Sequence, residues 1–258
     1  MTKIIAIANQ KGGVGKTTTA VNLAASLSIL KKRVLLIDMD PQGNATMGSG
    51  VQKNDVLYSL TDVFLGEVPI EAAIQKTPVG YKILASNRNL AGVELEIAEQ
   101  DGREYILKRA LDSIAQSYDY ILIDCAPSLS LMTVNALAAV NGVIIPMQCE
   151  YYALEGLADL IQTIDHIQQT LNPDVKVIGV LRTMYDARSA LTKDVSAELE
   201  HYFGNKLYET VIPRNVRLAE APAHGVPVIN FEKNSKGAIA YLNLAAEILK
   251  KARKGAKA

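Results

Sequence analysis

Residues 4–18 read IIAIANQKGGVGKTT, and this stretch indicates the fold of the whole chain. Residues 4–8 form a short apolar run, and a helical pattern begins at Thr17 and continues to residue 30. Between them lies a loop with three glycines, which let the backbone turn tightly and point successive N–H groups at one place. A strand, a glycine-rich loop and a helix in this order predict a phosphate-binding loop.

The same alternation continues along the chain. Short runs that are almost entirely apolar predict strands buried on both faces, and the segments between them have helical periodicity. We therefore expect one α/β domain over residues 1–258, a mostly parallel twisted sheet of the P-loop NTPase type with helices on both faces. Residues 50–100 are less regular and predict short helices with one strand near 82–85. The further predicted strands are 34–37, 121–123, 143–145 and 175–180, and the helices are 17–30, 103–116, 129–139, 154–169 and 190–202.

Composition excludes several classes of protein. The chain has 258 residues, of which 49% are hydrophobic, so it can bury a sizeable core and is not of the disordered class. Lys plus Arg and Asp plus Glu each number 27, so any nucleic-acid contact must come from a local patch. Two cysteines exclude a disulfide framework and a four-cysteine zinc site. Neither a signal peptide nor a run of about 20 apolar residues is present, so we expect a cytoplasmic protein.

The loop predicts specific phosphate chemistry. Lys16 should reach the β- and γ-phosphates of a nucleotide, and the Thr17 hydroxyl should bind Mg²⁺. The positive end of the helix dipole adds to the attraction for an anion. The residues expected to bind the phosphates are Lys11, Gly12, Gly13, Val14, Gly15, Lys16, Thr17 and Thr18.

Aspartates follow two of the predicted strands. Asp38 and Asp40 follow the strand at 34–37, and Asp124 follows the strand at 121–123. Ligands of an open α/β sheet bind beyond the carboxyl ends of its strands, so these carboxylates should converge near the loop. We expect Asp124 and Asp38 to serve the metal, with Asp38 in its outer shell. Asp40 is expected to orient or deprotonate the attacking water.

One departure from the common P-loop indicates a family. Position 10, where GxxxxGK[ST] loops have glycine, is Gln10, and a second lysine, Lys11, lies inside the loop. The KGGVGKTT form resembles the deviant-Walker-A ATPases, specifically the ParA/Soj partition branch. Residues 148–157, QCEYYALEGL, and 211–222, VIPRNVRLAEAP, are similar to that branch as well, so the resemblance covers residues 4–241.

The resemblance implies a mechanism and partners. It implies that Lys11 crosses a homodimer interface to contact the partner's nucleotide, so that Lys11, Lys16 and Asp40 act on the reacting phosphate. It further implies ATP/ADP and Mg²⁺ as cofactors and slow hydrolysis that dissolves the dimer. The implied partners are non-specific double-stranded DNA, which makes the protein nucleoid-associated, and a ParB/Spo0J-type centromere-binding protein. A MinD-like membrane-recruited ATPase is the main alternative, and a metabolic P-loop ligase is another.

The second half of the chain supplies two further sets of candidates. By position in the family, Pro213 and Asn215 flank adenine. Arg188 and Arg217 are the preferred DNA contacts among a group of cations that also contains Arg182, Arg214 and Lys193. Phosphate contacts of this kind give affinity that depends on salt and not on base sequence.

Two features remain open at this level. The segment 238–251 is mildly amphipathic and is followed by a basic tail at 250–258 that need not be ordered. It predicts a packed terminal helix, with a DNA-assisting tail or a membrane-binding helix as alternatives. Cys125 and Cys149 each follow a predicted strand, which favours buried thiols over an iron–sulfur cluster.

Overall fold

A computed structural model describes residues 2–150 and 153–255. Within them, a seven-stranded sheet forms the centre, in the order β3-β4-β2-β5-β1-β6-β7. Every neighbouring pair is parallel except β3 with β4, which is antiparallel. The strands are β1 (Lys3–Ile7), β2 (Val34–Met39), β3 (Ile74–Lys76), β4 (Lys82–Leu84), β5 (Tyr120–Cys125), β6 (Gly142–Gln148) and β7 (Val177–Thr183).

Helices cover both faces of this sheet. The longer ones are α1 (Lys16–Ile29), α7 (Leu131–Ala139), α8 (Ala153–Thr170), α9 (Ala190–Phe203) and α12 (Lys236–Gly255). The shorter ones are α2 (Asn44–Gly48), α3 (Leu60–Phe64), α4 (Ile70–Ala73), α5 (Leu90–Glu96), α6 (Ile106–Asp112), α10 (Val216–Glu220) and α11 (Val228–Phe231). None of the helices in this described part of the chain combines the length and the apolar character needed to cross a bilayer.

The core consists of two aliphatic layers, one on each side of the sheet. Every residue of β2 and β5 is buried, which matches their almost uninterrupted apolar sequence. Alternate residues point to opposite faces: Leu35 and Ile37 pack into one layer, whereas Leu36 packs into the other, against α1 and α12. The predicted α/β architecture is therefore confirmed.

Several boundaries differ from the prediction. The expected helix at 103–116 is divided into a 3₁₀ turn, α6 and a second 3₁₀ turn, because Tyr105 and Ile114 leave ideal helical geometry. Strand β7 begins two residues later than expected and continues to Thr183. The region 50–100 contains an antiparallel edge strand, β3, besides the expected strand near 82–85.

The terminal segment is a packed helix, as the first reading of residues 238–251 predicts. Tyr241, Leu244 and Ile248 of α12 are buried against the layer that contains α1. The helix continues through Gly255, so most of the basic tail is helical, and residues 256–258 lie outside the described residues. Tyr151 and Tyr152, which belong to a family-like stretch, also lie outside them.

Candidate nucleotide-binding site

The phosphate-binding loop is formed by residues 9–15 between β1 and α1. Gly13 and Gly15 have φ angles of 75° and 86°, in the left-handed region that favours glycine. Gly15 is also the N-cap of α1 and has no side chain that could cap the helix, so the first backbone N–H groups of α1 face the loop without a side-chain acceptor. This arrangement is suited to an anionic ligand.

Two hydrogen-bond systems hold the loop to neighbouring strands. Asn9 accepts the Lys11 N–H at 2.9 Å and donates to the carbonyl of Pro146 in β6 at 2.8 Å. The Thr183 hydroxyl, at the end of β7, donates to the carbonyl of Val14 at 2.8 Å. The loop is thereby fixed to β6 and β7 at both of its sides.

The two lysines of the loop lie in different surroundings. Lys16 is 7% exposed, and its ammonium donates to the Lys11 carbonyl at 2.9 Å, within its own loop. Burial lowers the pKa of Lys16, and the nearby charge of Asp124 opposes that effect. The Lys11 ammonium instead lies at the surface, 3.0 Å from the Glu150 carboxylate, with both side chains 40% or more exposed. The Lys16 ammonium is thus buried within this site, whereas the Lys11 ammonium is accessible from outside it.

Asp124 is a buried carboxylate without a well-formed hydrogen bond. Asp124 is fully buried, and neither of its carboxylate oxygens has a hydrogen-bond partner of normal geometry. Burial, followed by the charge of Asp38, raises the pKa of Asp124 well above its usual value, and the adjacent Thr17 hydroxyl partly opposes this rise. Orphaned carboxylate oxygens next to a threonine hydroxyl are suited to Mg²⁺ and its water ligands, since Mg²⁺ prefers oxygen donors and usually keeps several waters.

Asp38 lies beside Asp124 in the register of β2 and β5, but its oxygens have protein partners. One oxygen accepts the Asp40 N–H at 3.1 Å, and the other accepts both the N–H and the hydroxyl of Thr46 at 2.8 Å. Burial raises the pKa of Asp38 to about 6. Asp38 therefore holds the turn between β2 and α2 by these hydrogen bonds. Its contribution to the outer coordination shell of a metal remains a prediction.

Asp40 follows that turn and reaches the ligand cavity. It is half-buried, and its carboxylate accepts the Gln42 N–H at 2.9 Å, which leaves oxygen lone pairs directed elsewhere. Because Asp38 fixes the backbone N–H of Asp40, the position of this second carboxylate depends on the first. Asp40 is thus the carboxylate of this segment that lines the cavity beside the phosphate loop, and its role toward a water stays a prediction.

A cavity of about 700 Å³ joins the phosphate loop to the second half of the chain. Its walls include Gly13, Lys16, Thr17 and Asp40 on one side and Pro213 and Asn215 on the other. Asn215 Oδ1 is buried and has no hydrogen-bond partner, so it is an acceptor suited to the amino group of a purine base. Predicted phosphate residues, Asp40 and both predicted base residues thus line one cavity. The predicted metal residues Asp38 and Asp124 are fully buried and are not among its lining residues.

The predicted DNA-contacting arginines lie near one another on exposed segments. Arg188 forms a two-pronged pair with Asp186, with both nitrogen–oxygen distances at 3.0 Å. Arg217 pairs with Glu220 at 2.7 Å, and the bridge between Tyr185 and Pro213 brings the two segments together. Such exposed pairs are weak and would exchange readily for phosphates.

Arg182 has more internal hydrogen bonds than these two arginines. Its guanidinium donates to the Ser196 hydroxyl at 2.6 Å and to the Tyr208 carbonyl at 2.8 Å, and it lies 5.7 Å from the centre of the Tyr185 ring. These contacts give Arg182 a structural role, and its grouping with the candidate DNA contacts stays a prediction. Both cysteines are free and buried, as their positions predict.

Three residues of the site were missed from the sequence. Asn9 and Thr183 hold the phosphate loop, and Glu150 pairs with Lys11. Asn9 directly follows an apolar run, and Thr183 lies two residues beyond one, at the carboxyl edge of a parallel sheet where ligands bind. Thr183 was not found because the predicted strand ended at residue 180.

The chain is similar to known proteins over most of its length. The model of the family described as AAA domain matches residues 2–177. The chain is 53% identical to the sporulation initiation inhibitor protein Soj of Bacillus subtilis, over 96% of this chain and 98% of that protein. It is 48% identical to the chromosome partitioning protein ParA of Myxococcus xanthus, over 96% of this chain and 88% of that protein. The crystal structure of cobyrinic acid a,c-diamide synthase from Mycobacterium smegmatis with bound ADP and magnesium has a TM-score of 0.88 at 39% identity, covering 99% of this chain and 97% of that chain.

Proposed function

Because the chain belongs to the ParA/Soj family of chromosome-partitioning ATPases, we propose that it is an ATP-dependent dimerisation switch that partitions DNA. It hydrolyses ATP, and ATP or ADP with Mg²⁺ occupies the cavity beside the phosphate loop. The ATP-bound form is a homodimer with the nucleotides between its subunits. Hydrolysis returns the dimer to monomers.

The position of Lys11 is the observation that carries this proposal. A phosphate loop needs one lysine at the β- and γ-phosphates, and we assign that role to Lys16, which is buried within the loop. Among the described residues, the Lys11 ammonium pairs with Glu150 alone, and an exposed ion pair of this kind is worth about 0–1 kcal/mol. A second, weakly held lysine beside the phosphate site is suited to a phosphate of a facing subunit.

The cavity residues support a mechanism in which positioning and charge do most of the catalytic work. Thr17 and Asp124 would hold Mg²⁺, which supplies charge neutralisation at the phosphate oxygens. Lys16 and the N–H groups of the loop would bind those oxygens. Asp40 would orient the attacking water, and turnover would be slow because the bound state acts as a timer.

The proposed cargo is DNA, bound without sequence preference by the ATP dimer. Arg188 and Arg217 lie on exposed segments near the nucleotide cavity, so dimerisation there would bring two such pairs together. Phosphate contacts of this kind give salt-dependent affinity. A ParB/Spo0J-type protein is the proposed partner that stimulates hydrolysis, and the ATP dimer would be nucleoid-associated.

The test compares three variants by size-exclusion chromatography with ATP, with and without plasmid DNA. Asp40→Ala is expected to remain a dimer because water is no longer oriented for hydrolysis. Lys11→Ala is expected to bind nucleotide but to remain a monomer. Arg188→Glu with Arg217→Glu is expected to dimerise without binding DNA. Unchanged ATP-dependent dimerisation of Lys11→Ala would contradict the role of this lysine in the partner's site.

Two assays of the unmodified protein distinguish the alternative functions. ATP-dependent sedimentation with liposomes, and not with DNA, would indicate a membrane-recruited ATPase instead. ATP consumption that required a small carboxylic acid would indicate a ligase. We expect ATP turnover without an added small molecule.

A further inference from the structure

The segment that carries Asp40 contacts a loop that does not line the nucleotide cavity. This segment, residues 40–46, leads from β2 into α2, and we call it the Asp40 segment. The loop is formed by residues 85–89 between β4 and α5, and we call it the β4 loop. Strand β4 is a parallel neighbour of β2, so the carboxyl ends of the two strands lie side by side. The β4 loop is therefore placed to hold the Asp40 segment.

Thr46 makes the central contact between the two. Its side chain is fully buried, and its hydroxyl donates to one oxygen of Asp38 at 2.8 Å. The same hydroxyl accepts the backbone N–H of Ser86, in the β4 loop, at 3.0 Å. A hydroxyl has one donor and two acceptor positions, so Thr46 can make both bonds at once. It thus links the β4 loop to Asp38.

The hydrogen bonds continue from Asp38 to Asp40. The second oxygen of Asp38 accepts the Asp40 N–H at 3.1 Å. One chain of bonds therefore leads from the Ser86 N–H through Thr46 and Asp38 to the backbone of Asp40. Asp40 lines the nucleotide cavity, whereas Thr46 is not among its lining residues. Any effect of Thr46 on a bound nucleotide must then pass through other residues.

Gly43 provides a second contact between the Asp40 segment and the β4 loop. Its φ angle is 62°, and a Cβ at this position would lie 2.7 Å from the Ser86 carbonyl oxygen. The backbone can approach Ser86 this closely only because the residue is glycine. The Gly43 N–H also donates to the Asp40 carbonyl at 2.9 Å, which closes the turn. The turn that begins at Asp40 is thus packed directly on Ser86.

The place of the Asp40 carboxylate depends on the place of its backbone. The carboxylate accepts the Gln42 N–H at 2.9 Å, a bond within the Asp40 segment itself. A shift of the segment would therefore carry the carboxylate with it. Misplacement of a reacting group by about 1 Å can lower a rate about 100-fold. The contacts with the β4 loop are thus expected to matter for the chemical step.

We propose that Thr46 is a positioning residue for ATP hydrolysis, which holds Asp40 in place through Asp38 and the β4 loop. The inference rests on the proposed role of Asp40 in orienting the attacking water. Loss of the Thr46 hydroxyl slows the hydrolysis of bound ATP. Nucleotide affinity stays nearly unchanged, because Thr46 does not line the cavity.

The experiment measures single-turnover hydrolysis of Mg-ATP by excess protein and the affinity for Mg-ADP by calorimetry. Thr46→Val keeps the shape of the side chain and should lower the hydrolysis rate about 10- to 100-fold while its ATP-dependent dimer persists. Thr46→Ser keeps the hydroxyl and should restore most of the rate. The matched control is Ser49→Ala, which removes a buried hydroxyl at the end of α2 that bonds to Ala45 and Tyr81. This control should keep the rate of the unmodified chain.

A double variant tests whether Thr46 acts through Asp40. Residues that act in one network are not additive, so Thr46→Val should cause no further slowing in the Asp40→Ala chain. Slowing by the same factor in both backgrounds would overturn the inference. So would an unmodified rate in Thr46→Val, or a Thr46→Ser chain as slow as Thr46→Val.

These results leave the proposed function intact if Asp40→Ala itself hydrolyses slowly. An unmodified rate in Asp40→Ala would instead overturn the catalytic assignment of Asp40 and the inference with it. Gly43→Ala tests the same anchor if Thr46→Val does not fold, since the added Cβ displaces the turn from Ser86. It should slow hydrolysis and keep the affinity for Mg-ADP, and an unmodified rate would contradict the anchor.

Discussion

Lys16, Asp38 and Asp124 bring one positive and two negative charges into the same buried pocket. Removing charges from water is costly, and here the single lysine does not balance the two carboxylates. Burial raises the pKa values of both aspartates, and a neighbouring carboxylate adds to each rise, that of Asp40 for Asp38 and that of Asp38 for Asp124. A divalent cation would offset this excess of negative charge, so the residues that are costly to bury here also suit the pocket to Mg²⁺.

This imbalance predicts how stability depends on pH. In the folded chain Asp38 has a pKa of about 6 and Asp124 also has a raised pKa, whereas in the unfolded chain both titrate near their ordinary values. The folded state then binds more protons than the unfolded state in the pH range between these values, so its stability rises as the pH falls from about 7 toward about 4. Asp124→Asn removes one buried charge and is expected to weaken this dependence.

Urea denaturation at pH 7, 6 and 5 with EDTA measures the effect. The exposed Asp55→Asn serves as the control and should keep the dependence of the unmodified chain. The interpretation fails if Asp124→Asn shows the same change of midpoint with pH as the unmodified chain.

The bond from Thr183 to Val14 gives a prediction about nucleotide affinity. Thr183→Val removes the side-chain hydrogen bond to that carbonyl while keeping the shape of the residue. A hydrogen bond of this type is worth about 1 kcal/mol, so the affinity for Mg-ADP should fall roughly fivefold. Thr183→Ser keeps the hydroxyl and should bind nearly as well as the unmodified chain. Isothermal titration calorimetry distinguishes the two, and equal affinities of the Val and Ser variants would contradict the tether.

At the scale of elements, β7 depends on one close contact. Gly179 lies under the ring of Tyr208, and a Cβ at this position would lie 2.1 Å from a ring carbon. Tyr208 is 2% exposed and cannot move aside freely. Gly179→Ala should therefore lower the free energy of unfolding by about 2–3 kcal/mol.

Gly156 provides the matched control, since its Cβ would meet nothing within 4 Å and it lies in helix α8. Gly156→Ala should stabilise the chain by roughly 0.5–1 kcal/mol, because alanine favours helix more than glycine does. Chemical denaturation would show opposite signs for the two substitutions. Equal effects would mean that the contact at Gly179 is not tight.

Elements with strong local patterns were predictable, and elements defined by distant contacts were not. The apolar runs at β1, β2 and β5 and the glycines of the phosphate loop are local features, and they indicated the sheet and its ligand-binding edge. The antiparallel β3 has only three residues and is half-buried, so its pattern is too short to detect. The partners of Asp38 and the structural role of Arg182 come from segments distant in sequence, which no local pattern contains.

At the scale of the whole molecule, one cavity joins residues from both halves of the chain. Thr17 lies near the start of the chain, and Asn215 lies in its last fifth. A nucleotide that contacts both halves should stabilise the folded chain by mass action, by about 2.7 kcal/mol when the ligand is at 100 times its Kd. For a chain of this length that corresponds to a rise in Tm of roughly 5–10 °C.

Thermal unfolding with Mg-ADP measures this rise. Lys16→Ala should lose it, because the site loses its buried cation and its phosphate contact. Arg88→Ala, at an exposed position, should keep it. A full rise in Tm for Lys16→Ala would place the principal phosphate contact elsewhere.

The bond between the Lys16 ammonium and the Lys11 carbonyl also bears on the kinetics of ligand entry. The ammonium has already given up most of its hydration when the chain folds, so an incoming phosphate needs only to replace one neutral oxygen with a charged one. During association the ammonium exchanges one hydrogen-bond acceptor for another, while the loop that carries it keeps its conformation. We expect this step to proceed without refolding of the loop, at a rate set by diffusion and by the opening of the cavity.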